Sequence, residues 1–241
     1  SDYLLAARKY VEYLDRYPFA DNAYELNYYL ADCYFRAGDT KFKDDAGEWT
    51  NGYAEAIKQY AYLFGFPEDS HQRDAIIGIM YAYNYIWTGT EGEALKDNPE
   101  ALANIKPPLG QTVQFARMPL TDLEIDYIRS IRWVQREVPD QKDLPTLLYD
   151  IGQIYYYKNH LERARGTFME LIEHHPQTDY AAGGAGLIVN SYKYTGDLSR
   201  MRDATERFAM LGLGADEELR QQQTDTFESL ARASLFKEGE M

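Results

Sequence analysis

The sequence predicts an all-α protein built from helical hairpins packed one on the next. Three observations carry that prediction. No long alternating run of β-branched residues occurs among the 241 residues, so strand signals are absent. An apolar stripe with spacings of three and four recurs along the chain, as one face of a helix requires. Small residues, an aromatic and a closing Pro recur at matching offsets, which marks a repeated unit.

The unit reads without gaps over residues 145–176. Leu148, Ile151 and Tyr155 form the stripe of a first helix, and Gly152 beside them lacks a Cβ, which lets a second helix approach. Ala164 offers that helix a small side chain, and Phe168, four residues on, fills the layer between the two. Asn159 stands where a residue tolerant of the left-handed region ends a helix, and Pro176 stops the next. These positions fit the spacing W-x2-L-G-x2-Y followed by A-x3-F and Pro, so the segment resembles a tetratricopeptide repeat. The resemblance implies a right-handed α-solenoid of such hairpins, here one domain over residues 1–241 with two insertions between helices and a C-terminal capping helix. One hairpin cannot bury both of its faces, so neighbours are expected on either side.

In chain order, residues 1–18 carry Ala6, Tyr10 and Pro18 at the offsets of Ala164, Phe168 and Pro176, a second helix without its first. The chain is therefore expected to open in mid-repeat, as part of a longer parent. Residues 21–67 form a repeat in which Leu30, Ala31, Tyr34 and Gly38 match Ile151, Gly152, Tyr155 and Asn159, and Ala56, Tyr60 and Leu63 match Ala164, Phe168 and Leu171. An insertion over 40–52 separates its helices and is expected to protrude as a loop. Its Trp49 is either tucked onto the hairpin or exposed to a partner, and tucked is the expected state, since large aromatics seldom stay in water.

Residues 71–139 form the third repeat, with Ile77, Gly78 and Tyr81 on its first helix and Tyr127, Ile131, Val134 and Pro139 on its second. Tyr127 replaces a small residue there, which predicts looser packing. Its insertion, 88–120, is rich in Gly and Pro, and a loop of that length is either functional or disordered. The larger apolar residues cluster late in it, so 102–120 is expected to pack along the helices or a partner and 88–98 to stay mobile. After the reference repeat, 143–176, comes a degenerate one over 179–212, whose Gly183, Gly184 and Gly186 suit helices in very close approach. Residues 215–237 follow as a polar capping helix.

A net charge of −14 counts against a nucleic-acid partner, because phosphate binding needs clustered Lys and Arg; solubility is its first meaning and steering of basic partners its second. No segment approaches 18 consecutive apolar residues, so none spans a membrane as a helix. Cys33 is alone and reads as a small buried hydrophobe. No catalytic constellation, metal site or cofactor motif is found. His174 and His175 are adjacent and point about 100° apart on a helix, which suits the helix dipole better than a shared metal. Residues 43–48 lack the alternating ligands of a calcium loop.

In the tetratricopeptide family the first helices line a concave groove that holds a peptide or a partner's helix. Carried onto this chain, the resemblance implies a groove of Tyr28, Asp32, Phe35 and Arg36, then Ile79, Ala82 and Tyr83, then Tyr149, Gln153, Tyr156 and Tyr157, and finally Asn190, Lys193 and Tyr194. Some of these tyrosines are expected to fill the layer between repeats instead. The phrases at 16–24 and 175–182, and the stretches 186–195 and 234–237, resemble repeat proteins of bacterial envelope assemblies and gliding-motility machines. That resemblance implies a non-enzymatic scaffold within a larger assembly, periplasmic or outer-membrane-associated, with a cytoplasmic location as the alternative. The other reading is an accessory helical-repeat domain of a larger enzyme whose catalytic part lies outside this chain.

Overall fold

The computed structural model describes residues 2–92 and 114–239. Among them the chain is predominantly helical, with ten α-helices and one short β-hairpin, and it divides into two compact units. The first unit comprises residues 1–93 and 121–141; the second comprises 94–120 and 142–241.

The first unit contains α1 (Asp2–Arg16), α2 (Ala23–Ala37), α3 (Gly52–Tyr62), α4 (Gln72–Trp87) and α5 (Asp122–Glu137). Each packs on the next, and α2 also reaches α4. Side-chain caps set two of the starts: Asn51 accepts the Ala54 N–H at 2.9 Å, and Thr121 and Glu124 cap each other's backbone at α5. The core gathers Tyr24, Ala31, Ala56, Tyr60, Leu63, Ala75 and Ile79. Small residues face large ones here: Ala31 is wholly buried, and a Cβ on Gly78 would stand 2.5 Å from the Tyr60 ring. Tyr127 does not loosen α4 against α5. It is wholly buried, its ring lies 5.3 Å from Trp87 and its hydroxyl accepts from Asn84 Nδ2.

The insertion at 40–52 is not a plain loop. Strand β1 (Lys41–Lys43) pairs antiparallel with β2 (Trp49–Asn51), with Phe42 opposite Thr50 and Lys43 opposite Trp49. Strand side chains alternate between faces, so Phe42 turns inward and stacks on Tyr34 at 5.9 Å while Trp49 turns outward beside Lys43. Trp49 is accordingly 71% exposed, which corrects the tucked expectation. The hairpin starts and ends at one point: Tyr53 N–H donates to Gly38 O at 3.0 Å, and a Cβ on Gly52 would meet Gly38 O at 2.7 Å and Tyr34 O at 2.3 Å. Cys33 is half-buried rather than buried.

After α4, residues 88–92 continue as one wider π-helical turn, which closes Gly92 against Trp87, so the second insertion begins as helix rather than as loop. Residues 93–113, with most of the segment expected to be mobile or packed, lie outside the described residues.

The second unit contains α6 (Leu144–Tyr157), α7 (Leu161–His174), α8 (Asp179–Thr195), α9 (Leu198–Leu211) and α10 (Glu217–Gly239). Again each helix packs on the next, and α6 reaches α8. Asn159 ends α6 with φ +61°, and Gly196 ends α8 with φ +78°. Phe168 on α7 is wholly buried, which stabilises the unit by about 1.5–3 kcal/mol. It fits because of two glycines: a Cβ on Gly152 would stand 2.2 Å from its ring and one on Gly184 3.0 Å. Gly183 lies as closely under Tyr149, whereas Gly186 faces open space, so close approach accounts for two of that cluster's three glycines. Residues 114–120 lie along the α6–α7 turn. Met118 N–H donates to Lys158 O at 2.9 Å, Asn159 Nδ2 donates to Ala116 O at 3.1 Å, and the His160 ring meets Met118 O at 2.8 Å. This part of the long insertion is tied to the helices by hydrogen bonds, while Met118, one of the apolar residues expected to pack, is exposed.

Candidate functional site

The residues expected to face a partner are placed differently from one another. In the first unit α2 presents Tyr28, Asp32, Phe35 and Arg36 on one side, since they fall four, seven and eight positions along the helix. Tyr28 is half-buried and stacks on the His71 ring at 4.0 Å, nearly parallel. Arg36 donates to Asp32 at 2.7 Å and lies 6.0 Å over the Tyr3 ring of α1. Phe35 stands edge-on to Tyr53 and to Tyr85, which stack on each other at 5.1 Å. On α4, Tyr83 is half-buried, but Ile79 and Ala82 belong to the core and cannot touch a partner.

In the second unit Tyr149 is half-buried between Phe168 and Tyr180, with Gln153 hydrogen-bonded to it. Tyr156 is buried and hydrogen-bonded to Tyr194 of α8, with Tyr157 edge-on at 5.5 Å. It fills the layer between helices rather than lining a surface. Asn190 and Tyr194 are half-buried and Lys193 is exposed.

Electrostatics separate these rings further. Burial pushes the Tyr60 and Tyr156 hydroxyls well above the ordinary tyrosine value. Tyr28 is raised by burial first and then by the carboxylates of Asp74 and Asp32, which place negative potential at its hydroxyl.

The largest connected feature of the first unit was only partly foreseen. Seven rings follow one another in contact: Tyr10 of α1, Tyr29 and Tyr28 of α2, His71, Tyr24, Phe66 and Tyr62. The Tyr28 and His71 centroids stack at 4.0 Å, and the other successive centroids, 5.4–6.5 Å apart, lie within the range of favourable aromatic pairs. The ladder is tied at its centre, where His71 N–H donates to the Tyr24 hydroxyl at 2.9 Å, and open near its ends, where Tyr29 is 39% and Tyr62 59% exposed. Tyr29 also donates to Glu25 at 2.7 Å. The sequence held one signal for it: Tyr24 and Tyr28 sit four apart on α2, a spacing that aligns rings on one side.

His174 and His175 do not share a site. Their ring centroids are 6.5 Å apart, His174 Nδ1 lies 2.9 Å from Glu170 O, and burial together with His174 lowers the pKa of His175. Among the described residues no three His, Cys, Asp or Glu come together in a way that could hold a metal ion, and no helix is long and apolar enough to cross a membrane. What the structure defines is an all-α class of chain with a tyrosine-rich surface. No protein-family model matches it, and no curated protein matches it.

Proposed function

We propose that this chain is a non-enzymatic protein-interaction scaffold of tetratricopeptide-like hairpins, and that its first unit binds an extended peptide or a helix of a partner across the aromatic ladder. The observation that supports this reading is the ladder itself, seven rings in contact with exposed members near both ends. Rigid rings with polar tips give contact area at small entropic cost, which is why they recur where proteins bind. Glu25 beside Tyr29 and Asp74 near Tyr28 favour a segment carrying Lys or Arg, whose cation lies over a ring while a carboxylate neutralises it. The phrases at 16–24 and 175–182 support a place in a bacterial envelope assembly, and the closing stretches 186–195 and 234–237 a place in a motility assembly.

A peptide-display selection on the purified chain tests the reading. Peptides combining basic and large apolar residues should enrich, and Tyr29→Ala with Tyr62→Ala should weaken an enriched peptide by at least about fivefold, as loss of contact anchors does. Peptides that bind this variant as tightly as the parent would refute the ladder as the binding surface.

A further inference from the structure

Three guanidinium groups gather in one cleft of the second unit, lined by none of the residues discussed above as partner-facing. The cleft, about 210 Å³, is lined by Arg117 from the insertion, Arg165 of α7 and Arg200 of α9, with Asn159, Tyr192 and Asp197 among the other walls. In a chain of net charge −14 such a gathering opposes the general field.

The three are held differently. Arg165 lies 4.6 Å over the Tyr192 ring and donates to Ser191 Oγ at 3.1 Å, so its plane is fixed. Arg117 and Arg200 are more than half exposed, and their nearest carboxylate oxygens, on Glu162 and Asp197, stand 3.7 and 3.6 Å away. Those separations attract but make no hydrogen bond. By contrast, Arg73 meets both oxygens of Asp140, at 2.6 and 2.8 Å. A guanidinium offers five N–H donors, so three leave most of theirs directed at no acceptor within the cleft. With two carboxylates against three guanidiniums, the cleft keeps an excess positive charge.

The far wall is built for the purpose. Residues 116–118 are fixed to the α6–α7 turn by the Met118, Asn159 and His160 bonds, which keep Arg117 in the wall of the cleft. Asn159 spends its amide on Ala116, and its buried Oδ1 has no hydrogen-bond partner among the described residues.

We propose that this cleft binds an oxyanion, a carboxylate or a phosphate group, between the guanidiniums of Arg117, Arg165 and Arg200. The insertion then has a definite task, which is to carry the third arginine to the site.

The test titrates the purified chain with inorganic phosphate and, separately, with N-acetyl-glutamate, at constant ionic strength with chloride as the replaced anion. Arginine Nε–H resonances report the binding. At least one of the two should give saturable shifts confined to Arg117, Arg165 and Arg200, and the tighter one assigns the source as phosphate or carboxylate. Arg117→Gln with Arg200→Gln, both exposed and so compatible with folding, should weaken that anion by at least about tenfold, as loss of charge-assisted bonds does. Lys9→Gln with Lys58→Gln, an equal change of charge elsewhere, should leave it unchanged. Shifts that rise linearly and equally for both anions and chloride, or a double arginine variant that binds like the parent, would overturn the proposal.

Discussion

Replacing Gly152 by Ala adds one methyl group to the second unit, and the geometry sets its effect. The new Cβ would lie 2.2 Å from Phe168 Cε1 and 2.6 Å from both Cδ1 and Cζ, whereas carbons at ease stand about 3.5–4.0 Å apart. The ring must therefore retreat by more than about 1 Å. Its retreat is limited, because the Gly184 backbone packs against the same ring, so closely that a Cβ there would be 3.0 Å from Cδ1, and the Tyr149 ring centroid lies 5.6 Å away. Overpacking costs about 1–3 kcal/mol, and a ring enclosed on two sides belongs at the upper end, about 3. Ala recovers about 1 kcal/mol in helix propensity over Gly. The net loss is about 2 kcal/mol, roughly a thirtyfold shift toward the unfolded state. Gly166 on α7 gives the control, since a Cβ there meets nothing within 4 Å. Gly166→Ala should stabilise by up to about 1 kcal/mol. Urea unfolding followed by helical circular dichroism measures both. Equal midpoints for Gly152→Ala and the parent would refute the account of how Phe168 is enclosed.

Three further outcomes are expected. Trp49→Ser should change stability by less than about 0.5 kcal/mol, because the ring packs outward beside Lys43; a larger loss in urea unfolding would show that the hairpin depends on it. Tyr60 and Tyr156 have folded values above their unfolded ones, so their contribution is complete below the ordinary tyrosine value, about 10, and lost as pH rises through the folded value. Absorbance at alkaline pH should show a fraction of tyrosines that ionises only as helical dichroism disappears, and full ionisation of an intact helical protein would contradict this. Arg73 holds the Asp140 carboxyl below its usual range by hydrogen bonding, so that pair contributes above the ordinary carboxylate value and is lost as pH falls through the depressed one. Arg73→Gln should differ from the parent at neutral pH and converge with it in strong acid, which urea midpoints across the acid range would show.

The helices were legible because their signals are local. Pro176, Gly196, Gly212 and the αL-tolerant Asn159 stop helices through backbone geometry alone, and the observed ends follow them. Gly152 announced its close neighbour for the same reason, and so did Gly78. The β-hairpin was missed because each strand has only three residues, too few for alternation to stand out, although Asp44 to Gly47 has turn composition and Gly47 takes φ +80°. Trp49 was misplaced by the same omission, since its outward direction follows from pairing opposite Lys43 and not from its hydrophobicity. The candidate surface was legible only in part. Tyr28 and Tyr156 sit on helices of the same type, and nothing in their spacing says that one stacks on a half-buried histidine while the other bonds to Tyr194 in the interior.

The meeting of Gly38 and Gly52 makes the segment between them detachable in design terms. Chain leaves α2 and re-enters α3 at points whose backbones touch, so neither helix registers how far the excursion travels. Loop closure grows only slowly with length, about 0.6 kcal/mol for each doubling. The tip near Gly47, where a Cβ would meet nothing within 4 Å, is thus a place where a tag, a fluorophore or a whole reporter domain can be spliced without redrawing the surrounding core.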